Sequence, residues 1–155
     1  MIWIVAYLAS VVLANVTVTL WPWMAYVNAI VFIGADLTLK DRFQIRYAWW
    51  QVFCIILAGG FITVILNTAF WPIALASSAA FLVSGIVDYI AFALVKRSVV
   101  QKIIVSNIFG SFADSLVFAM LAPFPFTWGF VVIMTILKWI GGAITVAILA
   151  RHGAV

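Results

Sequence analysis

The sequence predicts an all-α integral membrane protein of six transmembrane helices with short loops, and three observations carry that expectation. The chain is 68% hydrophobic and only 8% charged, where a soluble domain carries about a quarter charged residues. Its apolar runs are continuous and about 18–24 residues long, the length that crosses a bilayer as a helix. A spanning barrel would instead need short segments of alternating polarity, and no third architecture satisfies the backbone in lipid. Finally, the segments between the runs alternate in character, basic then aromatic.

The elements follow in order. The first span covers about 2–20 and ends at "WPW". It lacks a basic leader and a small-residue cleavage pattern, so it reads as a helix and not as a signal peptide. The second covers about 23–39 and runs into a basic loop, "KDRFQIR", in which Asp41 is expected to be a solvated charge. The third covers about 47–67 and precedes "NTAFWP"; the fourth covers about 72–95 and ends at Lys96. The fifth covers about 103–122 and ends at "PFPF"; the sixth covers about 127–150 and ends at Arg151. Together they form a single transmembrane domain over 1–155.

Lys40, Arg42 and Arg46 follow the second span, Lys96, Arg97 and Lys102 follow the fourth, and Arg151 and His152 follow the sixth. The remaining loops are uncharged and rich in Trp, Phe and Pro. The positive-inside rule places the basic loops and both termini in the cytoplasm, and the aromatic loops at the outer interface. The expected location is the cytoplasmic (inner) membrane, crossed several times.

Composition also excludes functions. The net charge of +4 is explained by anionic lipid and topology, so the bilayer and not nucleic acid is the expected partner. Cys54 is the sole cysteine, so there is no internal disulfide and no thiolate metal site; it is expected to be a small packing residue. His152 is the sole histidine. No metal cluster, activated nucleophile or phosphate-cradling glycine loop is present. The chain is therefore expected not to be an enzyme and to hold no cofactor. Homo-oligomerisation is left open.

Polar residues inside the spans carry the functional signal. The acids are Asp36, Asp41, Asp88 and Asp114. At about 1.5 Å per residue, Asp36 lies roughly 6 Å, Asp88 roughly 12 Å and Asp114 roughly 18 Å from the cytoplasmic helix ends. Lys138 lies roughly 20 Å from the same face, and is read as the one base buried within a span. The fifth and sixth spans are antiparallel neighbours, so Asp114 and Lys138 share a depth. Each alone would cost about 2.5–3.5 kcal/mol at the centre of a membrane helix. Paired, each offsets the other, and the pair is read either as a helix-holding ion pair or as a midplane site for a polar substrate or ion.

Residues on the same helical faces extend the site. Ser106, Asn107 and Gly110 form a polar stripe leading to Asp114. Ser77, Ser84 and Asp88 form another on the fourth span, and Asn15 and Thr19 a third on the first. Gly141 and Gly142 are read as close helix packing. Asn15, Asp88, Asp114 and Lys138 are expected to converge on one internal cavity. Trp139, deep in the sixth span beside Lys138, is a candidate stacking wall.

The motifs "FIGADLTLKDRF" and "SNIFGSFADSLVFAMLAPF" resemble the VUT (vitamin uptake transporter) family, the queuosine precursor transporters of bacteria. The fourth span, "SSAAFLVSGIVDYIAFALVKR", is similar to a family segment with an Asp in its second half and a basic end. The Asn in "LANVTV" and the mid-span lysine also match, so the likeness runs over nearly the whole chain. It implies six transmembrane helices and import of a small, purine-like molecule, typically 7-cyano-7-deazaguanine. It places Asn15, Asp36, Asp88, Ser106, Asp114 and Lys138 at family polar positions. One departure is Met134, where the family pattern carries an acid four residues before the lysine.

A 7-deazaguanine presents adjacent N–H donors that a carboxylate accepts and a carbonyl that Lys or Asn donates to. Asp114 with Lys138 and Asn15 would read such an edge. Two alternatives stand beside a self-sufficient carrier: a substrate-binding subunit of an energy-coupling vitamin importer, and a structural membrane subunit without a ligand.

Overall fold

The computed structural model describes residues 2–21, 23–66 and 71–151, and among these the chain is helical with no strand. The elements are α1 (Ile2–Leu20), α2 (Met24–Asn28), a π-helical turn (Ala29–Ile33), α3 (Gly34–Arg46), α4 (Trp49–Leu66), α5 (Trp71–Leu94), α6 (Val99–Leu121) and α7 (Trp128–Arg151). The junctions at Asn28, Ala29, Ile33 and Gly34 keep right-handed helical dihedrals. α2, the π turn and α3 are therefore one continuous rod, and the described residues form six rods.

Local chemistry fixes the ends. Ser98 is extended, and its hydroxyl accepts from the Gln101 N–H while the Gln101 side chain accepts from the Ser98 N–H. This reciprocal cap starts α6 at two of its orphan donors. At the other end Ala122 is extended, as expected of a residue preceding proline.

Among the described residues, three helices are long and apolar enough to cross a membrane: Leu75–Leu94, Val99–Leu121 and Trp128–Arg151. Two shorter apolar stretches, Trp3–Ala14 and Trp49–Ile62, accompany them. The outside of the bundle is apolar, with Phe61, Leu94 and Met120 among its exposed side chains. Its inside holds Asp36, Lys40, Asp41, Asp88, Asn107 and Lys138. This inverts the soluble arrangement and suits a multi-pass membrane protein, whose lipid solvent is as apolar as leucine.

Several expectations are corrected. "KDRFQIR" is not a loop: α3 runs through Arg46, and only at Tyr47 does the backbone turn extended. Lys40 and Asp41 are buried, at 2% and 0% exposure, so Asp41 is not solvated and Lys138 is not the sole buried base. The reason lies in position. α3 touches α1, α4, α5, α6 and α7, so its polar side chains meet other helices before they meet water. Cys54 is likewise not a packing residue; it is exposed.

The rod is held against α7 by backbone contact. A Cβ built on Gly34 would lie 2.5 Å from the Gly142 nitrogen, and one on Gly141 would overlap the Ile30 carbonyl oxygen. Only glycine permits this approach, as in close membrane-helix crossings generally. The contact falls on the π turn, where an extra residue in the turn displaces the carbonyls. An apolar layer of Tyr7, Val11, Leu39, Phe43, Val52 and Ile56 packs α1, α3 and α4 together, with the Tyr7 and Phe43 rings edge to face at 5.5 Å.

Candidate functional site

α6 and α7 bring the deepest charges together. Lys138 donates to the Asp114 carboxylate and, at 3.1 Å, to the Ser115 hydroxyl. The two charged side chains are 3% and 13% exposed. This is the only ion pair among the described residues. The short "PFPF" connection makes α6 and α7 adjacent and antiparallel, and equal depth then follows from a rise of about 1.5 Å per residue.

The stripe on α6 leads from this pair toward α3. Ser106, Asn107, Gly110, Ser111 and Ser115 are all buried, spaced so that they share a face. Asn107 donates to the Thr38 hydroxyl at 3.0 Å, and Thr38 donates to the Gly142 carbonyl at 3.2 Å. This chain of bonds ties α6, α3 and α7 at the level of the glycine crossing. The Asn107 Oδ1 and the Ser111 Oγ have no hydrogen-bond partner. Unsatisfied buried groups of this kind are costly.

A second polar group surrounds α3. Ser106 donates to Asp41 at 2.7 Å. Asp88, from α5, is 2% exposed and lies against Gly110, whose added Cβ would come within 3.1 Å of the Asp88 Oδ1. Asp36 is buried, and the Lys40 ammonium sits 5.1 Å over the Phe81 ring. Four of the unpartnered buried atoms belong here: Asp36 Oδ1, Lys40 Nζ, Asp41 Oδ1 and Asp88 Oδ1.

The sequence-derived residues therefore divide. Asp114 and Lys138 join directly; Asn107 reaches Thr38 of α3; Asp36, Asp88 and Ser106 gather around α3 with Asp41 and Lys40. The side chains of Asn15 and Thr19 lie outside the described residues, as does His152. Trp139 is corrected: it is 38% exposed, because one residue along a helix turns the side chain by about 100°. It faces outward and is no wall for the Lys138 site. On α5, Ser84 of the stripe is buried and Ser77 is half-buried; Ser78, beside it, is buried and donates to the Gly60 carbonyl at 3.2 Å.

Sequence reasoning missed Asp41, Lys40, Thr38 and Asn28. Asn28 is buried and clasps α1, donating to the Ala14 carbonyl at 2.9 Å and accepting from Thr17 at 3.0 Å. A signal for Lys40 and Asp41 existed: helical spacing places Lys40 one turn after Asp36, which continues the polar face of the second span. A groove of about 280 Å³ between α4 and α5, lined by Trp49, Phe53, Ile56 and Ile86 among others, is apolar and contributes no residue to either cluster.

No family model, curated protein or solved structure matches the chain.

Proposed function

We propose that this chain is a membrane transporter for a small, flat, polar solute, and that the solute is a 7-deazapurine precursor of queuosine. The observation that carries the transport reading is the buried Asp114–Lys138 pair on a helical face that also carries the unpartnered Asn107 Oδ1 and Ser111 Oγ, within a bundle whose exterior is apolar. Intramembrane charges facing a bundle interior mark solute and ion pathways. The resemblance of "FIGADLTLKDRF" and "SNIFGSFADSLVF" to the VUT family supports the deazapurine.

In this reading the base's N–H edge replaces Lys138 as the partner of Asp114, and the freed ammonium donates to the base's carbonyl oxygen. The Ser111 hydroxyl and the Asn107 carbonyl oxygen supply further contacts along the same face. The chain lies in the cytoplasmic membrane as six spans, with Arg46, Lys96, Arg97 and Arg151 on the cytoplasmic side, as the bias of positive charge favours.

The test is uptake of labelled 7-cyano-7-deazaguanine by a precursor-auxotrophic strain lacking its own importer. The chain should restore uptake, and Asp114→Asn and Lys138→Ala, at matched membrane abundance, should reduce it to background. Normal uptake by both variants would sink the proposal. Uptake in a host without an energising module would also separate a self-sufficient carrier from a subunit of an energy-coupling importer.

A further inference from the structure

The groove between α4 and α5 belongs to neither polar cluster. Trp49, Val52, Phe53 and Ile56 line it from α4, and their i, i+3, i+4, i+7 spacing puts them on one helical face. Ile86 and Tyr89, one turn apart, line it from α5. At its floor Gly85 brings no side chain; a Cβ there would come within 3.0 Å of the Ile56 side chain, so Ile56 packs onto bare backbone. The result is an apolar furrow of about 280 Å³. Phe53 and Ile86 are exposed, so the furrow opens on the outside of the bundle, where lipid is the solvent.

The two ends of the furrow differ chemically. Trp49 is the first residue of α4, and it and Trp50 are exposed; indoles so placed sit at the level of lipid headgroups. Ile56 lies one further pair of turns along, about 10 Å deeper. Exposed cations stand at the Trp49 end. Arg46 closes α3 just before Trp49, separated from it by at most about 11 Å of extended chain. The Gln44 amide, in the same last turn of α3, donates to the Tyr89 carbonyl at 3.0 Å, which fixes the end of α3 against the furrow's other wall. Lys96 and Arg97 follow directly on α5, which ends at Leu94. No acid offsets these cations. Among the described residues every exposed charge is positive, while Asp36, Asp41 and Asp88 are buried and Asp114 is held by Lys138.

An acyl chain fits an apolar furrow, and a negatively charged headgroup is drawn to cations at the membrane surface. We propose that this groove and its basic rim bind one anionic phospholipid, with an acyl chain lying along α4 and α5 from Trp49 toward Ile56 and the phosphate at Arg46, Lys96 and Arg97. Val52 and Ile56 also belong to the apolar layer that packs α1, α3 and α4 together, so the bound chain completes that layer from the lipid side. The site requires only that α4 and α5 lie in a bilayer, and it is independent of any solute carried.

Photolabelling of the full chain in phosphatidylcholine nanodiscs tests the site. The probes are phosphatidylglycerol and phosphatidylcholine carrying the same diazirine-bearing acyl chain, and adducts are located by peptide mass spectrometry. Phosphatidylglycerol adducts should concentrate in 49–56 and 85–89, several-fold above those of the phosphatidylcholine probe. Replacing Arg46, Lys96 and Arg97 together by Gln should bring them down to the phosphatidylcholine level. Ile86→Trp, which fills an exposed position of the groove, should remove adducts from both segments, and Ile144→Trp, exposed on α7, should leave them unchanged. The unmodified chain decides by itself: equal labelling by the two probes overturns the anionic site, and adducts spread evenly over all lipid-facing helices overturn the groove. A preference for phosphatidylglycerol that survives the triple variant overturns the basic rim, and adducts that survive Ile86→Trp overturn the seat of the acyl chain. Exclusion of both probes from the groove, with chain-to-chain cross-links in their place, puts a second copy of the chain there and overturns the lipid.

Discussion

The Ser106 hydroxyl donates to the Asp41 carboxylate at 2.7 Å, linking the middle of α6 to a residue that sits between Lys40 and Arg42 in a basic run. That bond places α3 inside the bundle. It also means that the most polar helix of the chain is positioned by its neighbours' side chains as well as by its own apolar face. Ser106→Ala should remove the one hydrogen-bond donor that Asp41 has and lower stability by about 1–3 kcal/mol, the cost of an unmet buried acceptor. Thermal unfolding in detergent, followed by tryptophan fluorescence, would show it; an unchanged midpoint would mean that Asp41 finds another donor.

The Asp114–Lys138 pair should behave as a unit. Removing either partner leaves an uncompensated charge among the helices, at a cost of about 3–5 kcal/mol for a buried pair. Lys138→Met and Asp114→Leu should each lower the unfolding midpoint, and the double variant should recover most of the loss. A double variant no better than the worse single one would show that the pair contributes through further partners such as Ser115.

Gly141 and Gly129 make a controlled comparison within one helix. An alanine at 141 meets the Ile30 carbonyl oxygen, whereas a Cβ at Gly129 meets nothing within 4 Å. Gly141→Ala should cost about 1–3 kcal/mol or more through overpacking, and Gly129→Ala should be neutral. Expression in the membrane and thermal midpoint read both. Equal effects would remove the π turn's contact with α7 as a constraint on the fold.

Trp139 faces outward, so Trp139→Leu should leave uptake of 7-cyano-7-deazaguanine within about two-fold of the unmodified chain, a change under ~0.5 kcal/mol as expected of an exposed substitution away from buried features. Loss of uptake at normal abundance would return Trp139 to the site.

Topology is open to thiol labelling. In a Cys54→Ser background, single cysteines replacing Lys96 and Arg151, both exposed, should react with a membrane-impermeant reagent only from the cytoplasmic side. A cysteine replacing Trp128, exposed at the start of α7, should react from the opposite side. The same sidedness for Lys96 and Trp128 positions would rule out the six-span arrangement.

Much of this protein is written in local sequence. Continuous apolar runs dictate helices wherever lipid is the solvent, and the Ser98–Gln101 cap and the proline after Ala122 mark the ends of α6. Helical rise alone brings Asp114 and Lys138 to one depth, and periodicity alone puts Ser106, Asn107 and Gly110 on one face. Burial of Lys40 and Asp41 could not be read this way. A run of charges after an apolar segment has the same pattern whether it meets water or five other helices, and only the packing of α3 against α1, α4, α5, α6 and α7 decides between them. The direction of Trp139 and the contact of Gly141 with Ile30 depend likewise on which neighbour occupies each face. The sequence sets which groups are polar and how far along a helix they lie. The tertiary structure decides which of them meet, because charge pairing and desolvation act between helices that are distant in the chain.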